Sequence, residues 1–322
     1  MSLFDTPYQK YCLVEEEKQL KTCAVRLVLT NICNMDCWYC PFHSKAKGNS
    51  PTSVDDILWE RILEFIKTQD KEYVTFMFTG GEPTAHPKIK EYILQLMDIY
   101  KDKINIQVNT NISFDTKYYD NHFPKKTVDM LVSYHTGYVK DPEEFFSKVK
   151  FLEQWHNIRV HLMLEKDNQE EIKEIYLKYK DSNFSNSYTG IDIVPIHEFQ
   201  DDPEFKSITW FNKEERHFGH LGNLDKEAKV IPKDGDWILH RNFRGMLCSG
   251  EHIIMGNGNV YHCYQDIYKG IRQKLNLYTD KLTKLNRFKI CENDLCNDGF
   301  FFPKYSIKHF NEEMYGNKDS DT

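Results

Sequence analysis

The residues best placed to do chemistry are Cys33, Cys37 and Cys40, three thiols within Cys33-Asn-Met-Asp-Cys37-Trp-Tyr-Cys40. Three thiolates on one short loop can hold a four-iron cubane and leave one iron open to a small chelating ligand, whereas structural metal sites are closed by four protein ligands. A zinc knuckle with His43 as fourth ligand is the competing reading of the same spacing. The remaining cysteines are Cys12, Cys23, Cys248, Cys263, Cys291 and Cys296, and none occurs between Cys40 and Cys248. Nine cysteines, an odd count, argue against a disulfide framework and for metal ligation in two regions. Cys12 and Cys23 read as buried or incidental thiols ahead of the first strand.

Apolar β-rich runs alternating with helix-like stretches must position the cysteine loop. Ala24 to Thr30 reads as a strand that leads directly into it. Ser53-Val-Asp-Asp opens a helix with a capping-type start, continued by Leu58, Ile62, Leu63 and Ile66 at helical spacing. Further strands are expected at Val74–Thr79, Ile104–Asn109, Val128–Ser133, Ile158–Leu164 and Ile191–Ile196, with helices at Pro87–Tyr100, Pro142–Trp155 and Gln169–Tyr179. This alternation predicts an α/β fold, a partial (βα)6 TIM-like barrel of parallel strands with its chemistry at their C-terminal ends. The expected division is an N-terminal extension over 1–23, a core over 24–197, a connector over 198–244, a small cysteine-rich α+β domain over 245–303 and a tail over 304–322.

Thr79-Gly80-Gly81-Glu82-Pro83-Thr84 falls at the end of the second strand, on the same side as the cysteine loop. Two glycines allow close approach of the backbone to a ligand and proline fixes the exit; in isolation the segment is only a turn. Asn109, Thr110 and Asn111 end the third strand, and Ser133 and His135 end the fourth, where ordinary turn chemistry explains them equally well. Trp210, His217, His220 and Trp237 in the connector are either packing or pocket lining.

With 322 residues, 40% hydrophobic and 28% charged, the chain can bury a substantial core. Its net charge of -7, with no basic stripe, speaks against nucleic acid or an anionic membrane as partner. The N-terminus lacks a signal peptide pattern and no apolar run approaches bilayer length, so a cytoplasmic location is expected.

The Cys-x3-Cys-x2-Cys loop after the first strand, followed by Gly80-Gly81-Glu82-Pro83 one strand later, resembles the radical S-adenosylmethionine (SAM) superfamily over roughly the first 200 residues. The resemblance implies that Cys33, Cys37 and Cys40 hold a [4Fe-4S] cluster whose open iron takes SAM. Reductive cleavage then gives a 5′-deoxyadenosyl radical that abstracts a substrate hydrogen atom. By the same resemblance Tyr39 lies against the adenine, Gly80, Gly81, Glu82 and Pro83 meet the methionine amino group, and Ser133 meets the ribose and carboxylate. An electron donor such as flavodoxin or ferredoxin is implied as partner.

Cys248-x9-Gly-x4-Cys263 carries a strand–turn–strand pattern around Gly256-Asn-Gly258 and resembles the opening of SPASM and twitch auxiliary-cluster domains. With Cys291 and Cys296 it offers four ligands for a second [4Fe-4S] cluster, although Cys291-x4-Cys296 departs from the usual close pair. A structural zinc site, or one cysteine free as a hydrogen donor, fits the same residues. Related twitch enzymes oxidise or epimerise sugars or aminocyclitols, and others modify peptides, often through an N-terminal leader-binding domain. Only about twenty residues precede the first strand, so a small polar substrate is expected over a peptide. A non-enzymatic iron–sulfur or zinc protein is the remaining class.

Overall fold

In the computed structural model the described residues are 21–40, 52–180, 182, 184–185, 189–196, 247–248, 251–268, 273–285, 289–290 and 304–305. Cys12, His43, Cys291, Cys296 and the connector residues Trp210, His217, His220 and Trp237 lie outside them.

The chain runs β1 (Thr22–Thr30), α1 (Asp56–Thr68), β2 (Tyr73–Gly80), α2 (Ile89–Tyr100), β3 (Ile104–Thr110), α3 (Thr116–His122), β4 (Val128–Tyr134), α4 (Pro142–Leu152), β5 (Ile158–Leu164), α5 (Gln169–Tyr179) and β6 (Gly190–Pro195). Then come β7 (Leu247–Cys248), β8 (His252–Ile254), β9 (Asn259–Tyr261), α6 (Tyr264–Tyr268), β10 (Leu275–Asn276), β11 (Lys289–Ile290) and β12 (Lys304–Tyr305). A nine-stranded sheet has the order β10-β9-β8-β1-β2-β3-β4-β5-β6. Strands β1 to β6 pair in parallel throughout. No pairing among the described residues closes the sheet on itself, so the six parallel strands form the expected α/β arrangement as an open sheet.

Alternation along each strand separates two faces. Leu27 and Leu29 of β1, Phe76 and Phe78 of β2, Ile106 and Val108 of β3, and Val160 and Leu162 of β5 join Leu58, Ile62, Phe65 and Ile93 of the helices in one apolar core. The opposite, inner face carries Arg26, Gln107, His161 and Asp192, all buried. A parallel sheet covered on both faces normally reads as continuous apolar runs. The polar inner face departs from that pattern. Arg159 donates from Nε to Asp192 Oδ2 at 3.0 Å and from Nη2 to Oδ1, so the buried aspartate is paired.

Several expectations need correction. The first helix is capped by Asp55, whose side chain accepts from Leu58 N at 2.7 Å, and not by Ser53. Ser53 instead bridges to Thr30 at the end of β1. Helix α2 begins at Ile89 rather than Pro87, and α4 ends at Leu152 because Trp155 and His156 fold back to its carbonyl. The short helix α3 has no counterpart in the sequence pattern. Cys23 lies inside β1, 1% exposed, within the apolar core and not ahead of the strand.

The hairpin expected around Gly256-Asn-Gly258 is present as β8 and β9. It is not set apart from the core: β8 runs parallel to β1, with Val25 opposite His252 and Leu27 opposite Ile254. The main sheet therefore continues through β8, β9 and β10. A three-stranded sheet, β11-β7-β12, carries Cys248 and is separate from it. No helix among the described residues is long and apolar enough to cross a membrane.

Candidate active site

The cysteine loop leaves β1 at Thr30 and is closed at its base by residues 52–53. Asn31 N donates to Thr52 O at 3.0 Å, Thr52 N to Asn31 Oδ1 at 2.7 Å, and the hydroxyls of Thr30 and Ser53 lie 2.8 Å apart. Thr30 Oγ1 also accepts from Ile32 N at 3.1 Å, which turns the chain out of the strand.

The Gly80-Gly81 turn locks onto this loop. Gly81 N donates to Thr30 O at 2.7 Å and Glu82 N to Ile32 O at 2.8 Å. A Cβ on Gly80, which sits at φ +135°, would fall 2.1 Å from Thr30 O, and one on Gly81 would fall 2.2 Å from Ile32 O. The glycines permit a close approach to the protein's own cysteine loop, where the amides of Gly81 and Glu82 are engaged.

Glu82 is 1% exposed, and its carboxylate is occupied by protein donors. Oε1 accepts from Thr84 N at 3.0 Å, Thr84 Oγ1 at 2.5 Å and Thr110 Oγ1 at 2.9 Å, and Oε2 from Asn111 N at 2.7 Å. Burial pushes its pKa up while these hydrogen bonds pull it down. Pro83 follows at the start of a short 3-10 turn, Pro83–Ala85. Glu82 therefore ties the end of β2 to the end of β3.

Three strand ends reach the cysteines. Asn111, after β3, donates from Nδ2 to Asn34 Oδ1 at 2.9 Å and lies 3.9 Å from Cys33 Sγ, which also accepts from Met35 N at 3.3 Å. His135, after β4, has Nδ1 2.7 Å from Tyr39 Oη and 3.7 Å from Cys37 Sγ, and the two rings stack with centroids 6.1 Å apart. Glu165, after β5, accepts from Trp38 Nε1 at 2.7 Å. Spacing in sequence gave no sign of the Trp38–Glu165 contact. His135 and Asn111 were visible only as polar residues at strand ends.

The electrostatics of the loop follow from burial and crowding. Burial pushes the Cys33 thiol up to about 11, helped by Glu82 and Cys40, and the Cys37 thiol up to about 12, helped by Cys40 and Cys33. Burial likewise raises the Tyr39 hydroxyl and pushes His135 down to about 4. Three adjacent sulfurs resist ionising together unless a cation compensates them, and a cationic iron–sulfur core is such a compensator. Among the described residues no three His, Cys, Asp or Glu side chains gather around one ion. A cubane does not require that, since each sulfur binds a different iron corner. The donor set fits.

Ser133 occupies the inner face near the end of β4, half-buried, with His161 of β5 opposite it. Asn109 Oδ1, on the inner face of β3, is buried with no hydrogen-bond partner among the described residues. A buried acceptor left open is costly until a ligand donates to it, so this face fits a polar cofactor. Cys248 and Cys263 are both buried. Strand β11 pairs with β7 in the register Lys289 opposite Cys248, which brings the chain just before Cys291 alongside Cys248.

The sequence profile described as "Radical SAM superfamily" matches residues 27–206, which include the end of β1, the cysteine loop, the Gly80-Gly81 turn and β2 to β6. Two curated proteins align over part of the chain. "Putative protein YfkA" of Bacillus subtilis (strain 168) is 26% identical over 138 residues, 42% of this chain and 35% of the relative. "Radical SAM cyclopropyl synthase TigE" of Paramaledivibacter caminithermalis (strain DSM 15212 / CIP 107654 / DViRD3) is 27% identical over 139 residues, 38% of this chain and 28% of the relative. The chain thus spans about a third of the length of these relatives. Among solved structures, "Native anSMEcpe with bound AdoMet" superposes with a TM-score of 0.60 at 15% identity, covering 83% of this chain and 82% of that one. The form of the same protein "with bound AdoMet and Cp18Cys peptide" gives 0.57 at 15% identity and 87% coverage of both chains. These similarities establish a shared fold. The profile match spans more than half of the sequence and includes the loop whose geometry is described above; the chain belongs to the radical SAM superfamily.

Proposed function

We propose that Cys33, Cys37 and Cys40 hold a [4Fe-4S] cluster with one iron left for SAM, and that the protein is an enzyme acting on a polar substrate. When bound, the cluster and SAM supply a 5′-deoxyadenosyl radical that takes a hydrogen atom from the substrate. The single observation that carries this reading is the clamp of the Gly80-Gly81 turn on the cysteine loop, through Gly81 N to Thr30 O and Glu82 N to Ile32 O. Gly80, Gly81, Glu82 and Pro83 are assigned to the cofactor's methionine amino group and also fix the loop's shape, with Glu82 joining it to β3. We assign the Tyr39 ring and the Ser133 hydroxyl to direct cofactor contact, with the Asn109 side-chain oxygen available to a cofactor or substrate donor. The polar inner face, with Gln107, His161 and Asp192, supports a small hydroxyl- or amino-bearing substrate of the sugar or aminocyclitol kind, to be oxidised or epimerised.

Anaerobic reconstitution with iron and sulfide, followed by dithionite and SAM, should yield 5′-deoxyadenosine. A Cys33/Cys37/Cys40→Ala variant should yield none. Zinc in the loop, or no 5′-deoxyadenosine from the wild type, overturns the proposal.

We further propose that Cys248, Cys263, Cys291 and Cys296 hold an auxiliary [4Fe-4S] cluster in a twitch-like arrangement. The β11–β7 register beside Cys291 supports it. About eight irons per chain, falling to about four in the triple variant, is the expected count; about four falling to none refutes the second cluster. A flavodoxin or ferredoxin is the proposed electron donor. A second substrate reading is radical modification of a peptide; the name of the cyclopropyl synthase relative supports carbon–carbon bond formation as its outcome.

A further inference from the structure

We propose that the side chains around Cys37 set the reduction potential of the cluster in opposing directions, Tyr39 and His135 raising it and Glu165 lowering it. This inference rests on the radical SAM reading above.

Tyr39 Oη, His135 Nδ1 and Cys37 Sγ lie together. Oη and Nδ1 are 2.7 Å apart and Nδ1 and Sγ are 3.7 Å apart, with the Tyr39 hydroxyl near enough to the sulfur to favour its thiolate form. The contacting sulfur atom in this structure is a thiol standing in for the cluster's thiolate ligand. As a ligand the sulfur carries no proton and can only accept. Two arrangements are then open: His135 N–H donates directly to the sulfur, or it donates to Tyr39, whose O–H donates to the sulfur. Each directs a proton at the ligating atom. Asn111 Nδ2, 3.9 Å from Cys33 Sγ, aims a second donor at a second ligand.

Adding an electron makes the cluster more negative. A donor on a ligating sulfur stabilises that added charge, so it favours the reduced form and raises the potential. The enclosed surroundings of Tyr39 and His135 strengthen the effect, because little water competes. Glu165 acts in the opposite sense. Its carboxylate is held beside the loop by Trp38 Nε1 at 2.7 Å, one residue from Cys37. A negative charge there disfavours the electron. The three groups come from the loop itself and from the ends of β4 and β5, so the strand order and not the cysteine spacing fixes the balance.

The test is an EPR-monitored redox titration of the reconstituted protein without SAM, on the wild type and on H135L, Y39F and E165Q. H135L should shift the midpoint to lower potential. A tenfold fall in the reduced-to-oxidised ratio at the wild-type midpoint corresponds to about 59 mV for one electron. Y39F should move in the same direction, and E165Q, whose amide oxygen still accepts from Trp38, should move the opposite way. H135Q keeps a side-chain donor and should lie closer to the wild type than H135L does. Unchanged midpoints, or shifts of one sign in all three variants as general loosening of the loop would give, overturn the inference. If H135L does not take up iron, the opposed shifts of Y39F and E165Q decide it. A wild type without a cysteine-dependent cluster would mean that the radical SAM reading itself has failed.

Discussion

The carboxylate of Glu82 receives the backbone N–H of Asn111 at 2.7 Å, and the Asn111 side chain in turn reaches Asn34 and Cys33. One buried acid after β2 thereby fixes the residue after β3 that braces the cysteine loop after β1. The three strand ends behave as one unit.

Replacing Glu82 by Gln puts an amide N–H₂ where donors already point, and leaves at least one of Thr84, Thr110 and Asn111 without an acceptor. The expected cost is about 1–3 kcal/mol of stability, the range for a buried group left unsatisfied. Urea denaturation with unchanged m-value measures it. Iron uptake should fall as well, since Asn111 loses its anchor.

Gly81→Ala tests the clamp. Its Cβ would stand 2.2 Å from a backbone oxygen, which cannot rotate away, so the turn must separate from the cysteine loop. The folded protein should retain its far-UV circular dichroism, because the strands and helices lie outside the contact. Iron per chain after reconstitution should drop severalfold. Full iron retention would show that the turn does not shape the loop.

His86 supplies a pH dependence that is independent of the cluster. Its Nδ1 accepts from Lys88 N at 3.3 Å, which leaves Nε2 to donate to Val54 O at 3.0 Å. Protonation would set an N–H against an N–H, and burial already pushes the pKa below 6.5. The unfolded chain therefore binds the proton more readily than the folded one. The stabilisation is complete above pH 6.5 and is lost as the pH falls towards the folded value. In His86→Gln this part of the decline should disappear, so that the difference between the wild-type and variant stability curves narrows as the solution is acidified. Parallel curves would contradict the assignment.

Arg26 on β1 and Glu251 just before β8 form an ion pair at 2.6 Å, with side chains 7% and 5% exposed, and Arg26 lies 4.7 Å from the centre of the Tyr264 ring. The pair helps to hold the C-terminal hairpin on the main sheet. Removing one partner, as in Glu251→Leu, should cost about 3–5 kcal/mol because the other charge stays buried and uncompensated. The double variant R26M/E251L should recover much of that loss. A double-mutant cycle by chemical denaturation checks both expectations.

Sequence by itself determined the six parallel strands of the core and the place of the cysteine loop among them. Period-two apolar patterning marks residues packed against helices, and that signal is local. Ile158–Leu164 and Gln169–Tyr179 accordingly have the same bounds in the sequence reading and in the structure. The spacing of Cys33, Cys37 and Cys40 and the Gly80-Gly81-Glu82-Pro83 segment were legible for the same reason, since each motif is contiguous. Helix α3 was not, because Tyr119 is its one buried residue and a single apolar position has no period.

Only the tertiary structure decided what the motifs touch. The two glycines pack against the backbone of the cysteine loop because β1 and β2 are adjacent and their ends must pass within hydrogen-bond reach. His135, Glu165 and Asn111 meet the cysteine loop through strand order, and the residues between them and the loop carry no record of that order. The attachment of β8 to β1, which joins the C-terminal hairpin to the core sheet, is likewise a long-range pairing. Backbone hydrogen bonds between distant strands are made by groups common to every residue, so side-chain patterns fix which face a strand buries but leave its neighbour to the fold.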